Sequence, residues 1–261
     1  MSRIFAIFKR EVAAYFRSPI GFVIFAIFML ISGIYMAFSL QNSYSDIASE
    51  IGFLQIILVV IIPVLTMRAF SEDRKNGTEV LLFTSPASTT EIVVAKYLAS
   101  FALFLLLTAT TLIHVIITVS YGGLVDISVF GAYTGFIFLG AAYIGIGIFA
   151  SALTENQIIA AIISLVTIFI LSLIESVSSV IGTGIATLLS LLNFGLLTDI
   201  QISNVGTAVS EGINWLSPNA RLTNYVNGIF ELSPLVFFIS LTVVFLFLTN
   251  RIIEKRRWSQ R

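Results

Sequence analysis

The sequence predicts an all-α polytopic membrane protein with six transmembrane helices, and three observations carry that prediction. First, of 261 residues 57% are apolar and only 11% charged, with a mean hydropathy of +1.02. Soluble domains carry about a quarter charged residues, so this chain cannot clothe a water-facing surface, and a soluble globular enzyme is excluded. Disorder is excluded as well, because it needs low hydrophobicity and high charge. Second, six apolar runs reach the roughly 20 residues that a crossing requires: 20–40, 51–67, 92–120, 129–152, 158–174 and 234–249. Third, the basic residues sort to one side of those runs.

Six crossings with the N-terminus inside place residues 1–19, 68–91, 153–157 and 250–261 on the inner face. Those segments hold Arg3, Lys9, Arg10, Arg17, Arg68, Arg74, Lys75, Arg251, Lys255, Arg256, Arg257 and Arg261. Lys96, one turn inside span three, is expected to snorkel to the same side. Only Arg221 falls outside, as the positive-inside rule demands. A seventh apolar run, 181–197, would invert this order. It is therefore read as a re-entrant or interfacial helix pair in the outer leaflet, broken at Gly182, Gly184 and Gly195.

Residues 3–17 precede span one. Ile4, Phe5, Phe8, Val12, Tyr15 and Phe16 share one arc of a helical wheel, with Arg3, Arg10 and Arg17 opposite. This pattern predicts an amphipathic helix in the membrane interface. It serves either as a simple anchor or as an elbow that positions span one, which Pro19 starts. The apolar stretch that follows is too long for the core of a signal peptide, so a retained anchor is expected.

The loop 70–91 is the most informative segment. Ser71 with Glu72 and Asp73 reads as a helix N-cap with acids in its first turn. Asn76-Gly77 reads as a turn, Val80 to Phe83 as a short apolar helix, and Ser85-Pro86 as a second break. Ser88 with Glu91 forms a capping box that opens span three. An apolar patch outside any span suits docking into a partner's groove; the alternative is a loop packed on its own bundle. Asn76-Gly77-Thr78 matches a glycosylation sequon, a chance match on the inner face.

Span four carries Gly131, Gly135, Gly140 and Gly147 on helical spacing, which permits close helix approach or a subunit interface. Thr154 and Gln157 suggest a capping box for span five. His114 lies in the outer half of span three and reads as a hydrogen bond across helices or as a functional group. Glu175 ends span five. The acids Asp46, Glu50, Asp126, Asp199, Glu211 and Glu231 are scattered outside without ligand-like spacing. Residues 176–233 form the longest non-spanning stretch, where Ser217-Pro218 marks a helix start and Trp215 suits the interface.

Catalytic sets are missing. There is no Cys, one His and no HExxH, so no metal site is expected. No phosphate-binding GxxxxGK[ST] occurs, so the chain is not expected to bind ATP or act as an enzyme. Nothing points to nucleic acid; the expected surroundings are the lipid bilayer and protein partners that supply the energy.

At 70–96 the sequence resembles ABC-2-type transporter permeases. The resemblance rests on Glu72, Arg74, Lys75, Gly77-Thr78 followed directly by Glu79, the patch Val80 to Phe83 with Leu81 and Leu82, Ser85-Pro86, and Lys96. Segments IPVLTMRAFSEDRKNGT (62–78), AAYIGIGIFASALTENQIIA (141–160) and RIIEKRRW (251–258) are most similar to the gliding-motility-associated permease branch. The resemblance implies an elbow helix over 3–17 and a coupling helix in 70–91 that docks on a separate ATPase. It also implies two ATPase copies holding ATP and Mg, and a second permease chain, identical or related. A companion membrane subunit with an outer domain and a bacterial inner-membrane location with both termini cytoplasmic complete the expectation. A permease subunit is the leading functional reading. A mechanotransmission or scaffold subunit, relaying ATP-driven motion without solute passage, is the alternative.

Overall fold

The computed structural model describes residues 3–41, 46–192 and 198–259. Those residues form twelve helices and no strands. Among the described residues, six helical stretches are long and apolar enough to cross a membrane: Pro19–Gln41, Ile47–Lys75, Thr89–Ser120, Ile127–Leu153, Gln157–Leu191 and Leu232–Trp258.

Helix α1 (Arg3–Arg17) runs before α2 (Pro19–Gln41), with Pro19 at the first position of the crossing. Helix α3 (Ile47–Thr66) starts at Asp46, whose carboxylate accepts from the Ala48 amide. After Met67 the chain continues as α4 (Arg68–Lys75). Gly77, at φ +71°, turns it into α5 (Glu79–Thr84). Span three is α6 (Thr89–Thr110) and α7 (Leu112–Ser120), opened by the Ser88–Glu91 capping box. Helix α8 (Ile127–Leu153) is followed by α9 (Gln157–Leu191), α10 (Asp199–Asn214), α11 (Pro218–Val226) and α12 (Leu232–Ser259).

Helix α8 is the hub. It packs against α3, α4, α6, α9, α11 and α12, and Phe136, Leu139, Tyr143, Ile144 and Ile148 are fully buried there. Between lipid-facing helices, apolar area brings no hydrophobic gain, so close contact must hold them together. The four spaced glycines of α8 provide it against three different elements. Gly131 and Gly135 receive Tyr225 and Leu222 of α11, Gly140 receives the Phe104 ring of α6, and Gly147 receives Thr66 of α3. All four are used within the chain.

Three local expectations are corrected. The helix of span five does not end near residue 174. Helix α9 runs unbroken through Gly182 and Gly184 for 35 residues, about 52 Å at 1.5 Å per residue, well beyond the roughly 30 Å hydrocarbon core. Helix α10 returns antiparallel along it. Ser178 donates to Asn214 Oδ1, and a Cβ on Gly182 would stand 2.6 Å from the Gly206 carbonyl. Gly182 thus admits a neighbouring backbone rather than breaking the helix, and Gly184 has open space beside it; Gly195 lies outside the described residues. Ser71 caps nothing: it sits inside α4 and donates to the Met67 carbonyl. The cap of α9 is Asn156, not Thr154, because the Asn156 side chain accepts from the Ile158 amide.

Candidate functional site

The end of the bundle that holds both described termini gathers most of the charge. Its centre is Lys96, in the second turn of α6 and 2% exposed. The ammonium donates to Asp73 Oδ2 at 2.6 Å, to Glu11 Oε1 at 3.0 Å and to the Ala69 carbonyl. Its three donors are all used, and it lies 5.2 Å from the centre of the Phe70 ring. Glu11 belongs to α1, Asp73 and Ala69 to α4. One buried cation therefore ties three helices. Snorkelling to the surface does not occur, because two carboxylates within reach neutralise the charge inside.

The neighbours extend this junction. Arg10 pairs with Glu11 and lies 3.7 Å from Asp73. Burial works to lower the Arg10 pKa, but the Glu11 hydrogen bond and the charges of Glu11 and Asp73 raise it above its ordinary value. Thr78 Oγ1 donates to Asp73 Oδ1 at 2.7 Å, which pins the turn after α4. Arg68 pairs with Glu72 at 2.8 Å and covers the Tyr15 ring at 5.2 Å. The buried Tyr15 hydroxyl donates to the Leu65 carbonyl at 2.7 Å.

Helix α1 therefore meets the body with Ile7, Glu11 and Tyr15, while Phe5 and Phe16 stay exposed. The expected apolar arc is split: an acid lies on its buried side because Lys96 waits opposite. Phe8 stacks on Phe5 with ring centres 6.2 Å apart. Arg3 donates to the Pro86 carbonyl, fastening the start of α1 to the link before α6. Arg17 is exposed.

A second clamp holds α5. Arg256 of α12 meets Glu79 Oε1 at 3.2 Å and donates to the Ala152 carbonyl at the end of α8. Glu79 and Leu82 are buried, and Phe83 packs partly buried against the core. The opposite face of α5 points away: Val80 is 51% and Leu81 70% exposed. Ser85 Oγ donates to the Leu82 carbonyl at 2.6 Å and ends the helix. Arg74 makes a looser pair with Glu155 at 3.6 Å. Ser151 joins α8 to the bend between α3 and α4: its Oγ accepts from the Phe70 and Ser71 amides and donates to the Met67 carbonyl.

The remaining predicted residues lie elsewhere. Gly131, Gly135, Gly140 and Gly147 are in the α8 packing face. His114 meets Glu50, with Nδ1 and Oε1 2.6 Å apart. Glu50 is 1% exposed, so it does not belong with the scattered outer acids. Glu175 is exposed on α9. Glu11 belongs to no motif of the sequence, and Glu50 and Arg256 stand out there only as charges on one side or the other, without their partners. Glu11 had a legible signal, an acid interrupting the apolar arc of α1. Glu50 and Arg256 had none, because their partners are 64 and 177 residues away.

Six crossing-length helical stretches among the described residues, four of which carry charged, hydrogen-bonded clusters at one end, define a polytopic helical membrane protein. The model of the ABC-2 family transporter protein domain matches residues 5–258, nearly the whole chain, and the chain belongs to that family. It is a multi-pass membrane permease subunit of an ABC transporter, and membership implies partnership with an ABC ATPase and a transport role that is typically non-catalytic. No curated protein matches the chain at a significant level.

Proposed function

We propose that the chain is the permease half of a bacterial inner-membrane exporter, with α5 as the helix that receives the ATPase stroke. The carrying observation is the division of α5: Glu79 and Leu82 anchor it, while Val80 and Leu81 present an apolar pair to the outside. A short amphipathic helix of that kind fits a hydrophobic groove on a partner. Both termini and α5 then face the cytoplasm, consistent with the basic residues gathered there.

On this reading, two ATPase subunits hold ATP and Mg and push on α5. The push passes through Thr78 and Asp73 to Lys96, and from there to α1 and α6. Spans then tilt as rigid bodies and open a path between two permease chains. Co-purification tests the docking step. Leu81→Asp is expected to abolish retention of the ATPase and its stimulation by the permease; survival of both overturns the assignment of α5.

The mechanotransmission reading keeps one specific support. The α9–α10 hairpin extends beyond a single crossing and offers a lever to an outer companion subunit, such as the gliding-motility-associated branch would pair with. ATP-dependent crosslinking of Leu188→Cys to such a subunit, with no vesicle transport, would favour it.

A further inference from the structure

We infer that the cleft between the start of α6 and the end of α12 binds the phosphate of an anionic glycerophospholipid. Thr89, Arg251, Glu254, Arg257 and Trp258 line this cleft of about 540 Å³. Its position follows from the stripe it completes. Val236, Ile239, Val243 and Phe247 are all exposed on α12. The spacing of three to four residues puts them on one helix face, and Arg251, Glu254 and Trp258 continue that face. An apolar stripe exposed along a membrane span faces acyl chains. Where it turns into arginine and tryptophan, the hydrocarbon gives way to headgroups.

The polar groups are arranged to take an anion. Glu254 is already engaged by Asn250 at 2.9 Å, by Arg251 at 3.0 Å and, at 3.5 Å, by Thr89. It orients Arg251, whose guanidinium also lies 4.9 Å from the centre of the Phe247 ring. Arg257 makes no hydrogen bond or ion pair among the described residues. Two guanidinium groups against one occupied carboxylate leave the cleft net positive. Guanidinium donors match phosphate oxygens in pairs, and a basic pocket at a span end is a site for acidic headgroups. The adjoining stripe selects a lipid over a free phosphate ion, because only a lipid also covers Phe247 and Val243.

The test uses the whole chain in nanodiscs and native mass spectrometry. With phosphatidylglycerol, the wild type is expected to retain lipid after detergent release; with phosphatidylcholine it is not. Each arginine contributes about fivefold in affinity at a charged interface, so R257Q loses about fivefold and R251Q/R257Q far more. Lys255→Gln, at an exposed residue that does not line the cleft, retains binding. Unfolding temperature in phosphatidylcholine checks that the variants fold, and Phe247→Ala gives a second variant that leaves every charge in place and is also expected to weaken retention. Equal retention of both lipids, unchanged retention in R251Q/R257Q, or equal thermal protection by inorganic phosphate alone would each overturn the site. None of these readouts involves an ATPase.

Discussion

His114 Nδ1 and Glu50 Oε1 lie 2.6 Å apart across α7 and α3, with both side chains buried. The other Glu50 oxygen has no hydrogen-bond partner among the described residues. A buried ionisable pair is costly to leave half made: removing one partner strands the other, at about 3–5 kcal/mol. His114→Ala is therefore expected to lower the unfolding temperature in detergent sharply. Replacing both with Leu removes the stranded group, and the double variant is expected to recover most of the loss. Additive single and double effects would show that the pair does not couple.

Glycines on α8 and α9 separate close approach from mere helix composition. A Cβ at Gly147 collides with the Thr66 side chain, and one at Gly182 with the Gly206 backbone. At Gly145 the nearest atom is an ordinary 3.5 Å away, and at Gly184 nothing lies within 4 Å. Gly147→Ala and Gly182→Ala are expected to destabilise, whereas Gly145→Ala is close to neutral. Gly184→Ala is expected to stabilise α9 by about 0.5–1 kcal/mol, the ordinary gain over glycine in a helix interior. A lower unfolding temperature for Gly184→Ala would mean that α9 bends there after all.

That pair of glycines also marks the limit of what the sequence discloses. The spans are legible because twenty apolar residues are a one-dimensional signal. The capping box at Ser88 and the proline start at Pro19 and Pro218 are equally local, and each stands where its residues predict. Gly182 carries no local mark that distinguishes a helix break from a seat for another backbone; its role depends on α10, more than twenty residues later. Lys96 fails for the same reason. A cation one turn inside a span has two low-energy outcomes, the surface or a buried counter-ion. Only the packing of α1 and α4 brings Glu11 and Asp73 to it. Leu81 shows the converse: its apolar, non-spanning position is visible in the sequence, and the structure places it outward.

The Lys96 junction predicts an unequal response to charge removal. Lys96→Met removes the buried cation and leaves Glu11 and Asp73 with only the half-exposed Arg10 between them, and a loss of about 3 kcal/mol is expected. Asp73→Asn keeps a neutral hydrogen-bonding side chain beside Lys96, with Glu11 still pairing the ammonium, so its cost is smaller. Combined with Lys96→Met, Asp73→Asn is expected to relieve part of the repulsion, with a coupling of about 0.5–3 kcal/mol. Thermal unfolding of the four proteins closes the cycle, and zero coupling would dissolve the junction as a unit.

Arg256 and Glu79 offer the most direct probe of how α5 is held. The pair is largely shielded from water, and Arg256 also reaches the Ala152 carbonyl, so α12, α8 and α5 meet at one guanidinium. Arg256→Ala removes the link from α5 to α12 and α8 while leaving Val80 and Leu81 exposed, so on the docking role proposed for α5 its contact surface is kept. The ATPase is therefore expected to stay bound, while its stimulation by the permease falls several-fold, because a loose helix absorbs motion instead of passing it on. Arg256→Lys keeps the charge but loses the forked contact to two acceptors, and an intermediate stimulation is expected. Measured ATPase retention separates this outcome from the Leu81→Asp result. If Arg256→Ala expels the ATPase as completely as Leu81→Asp does, then Arg256 holds the docking surface itself rather than the stiffness behind it.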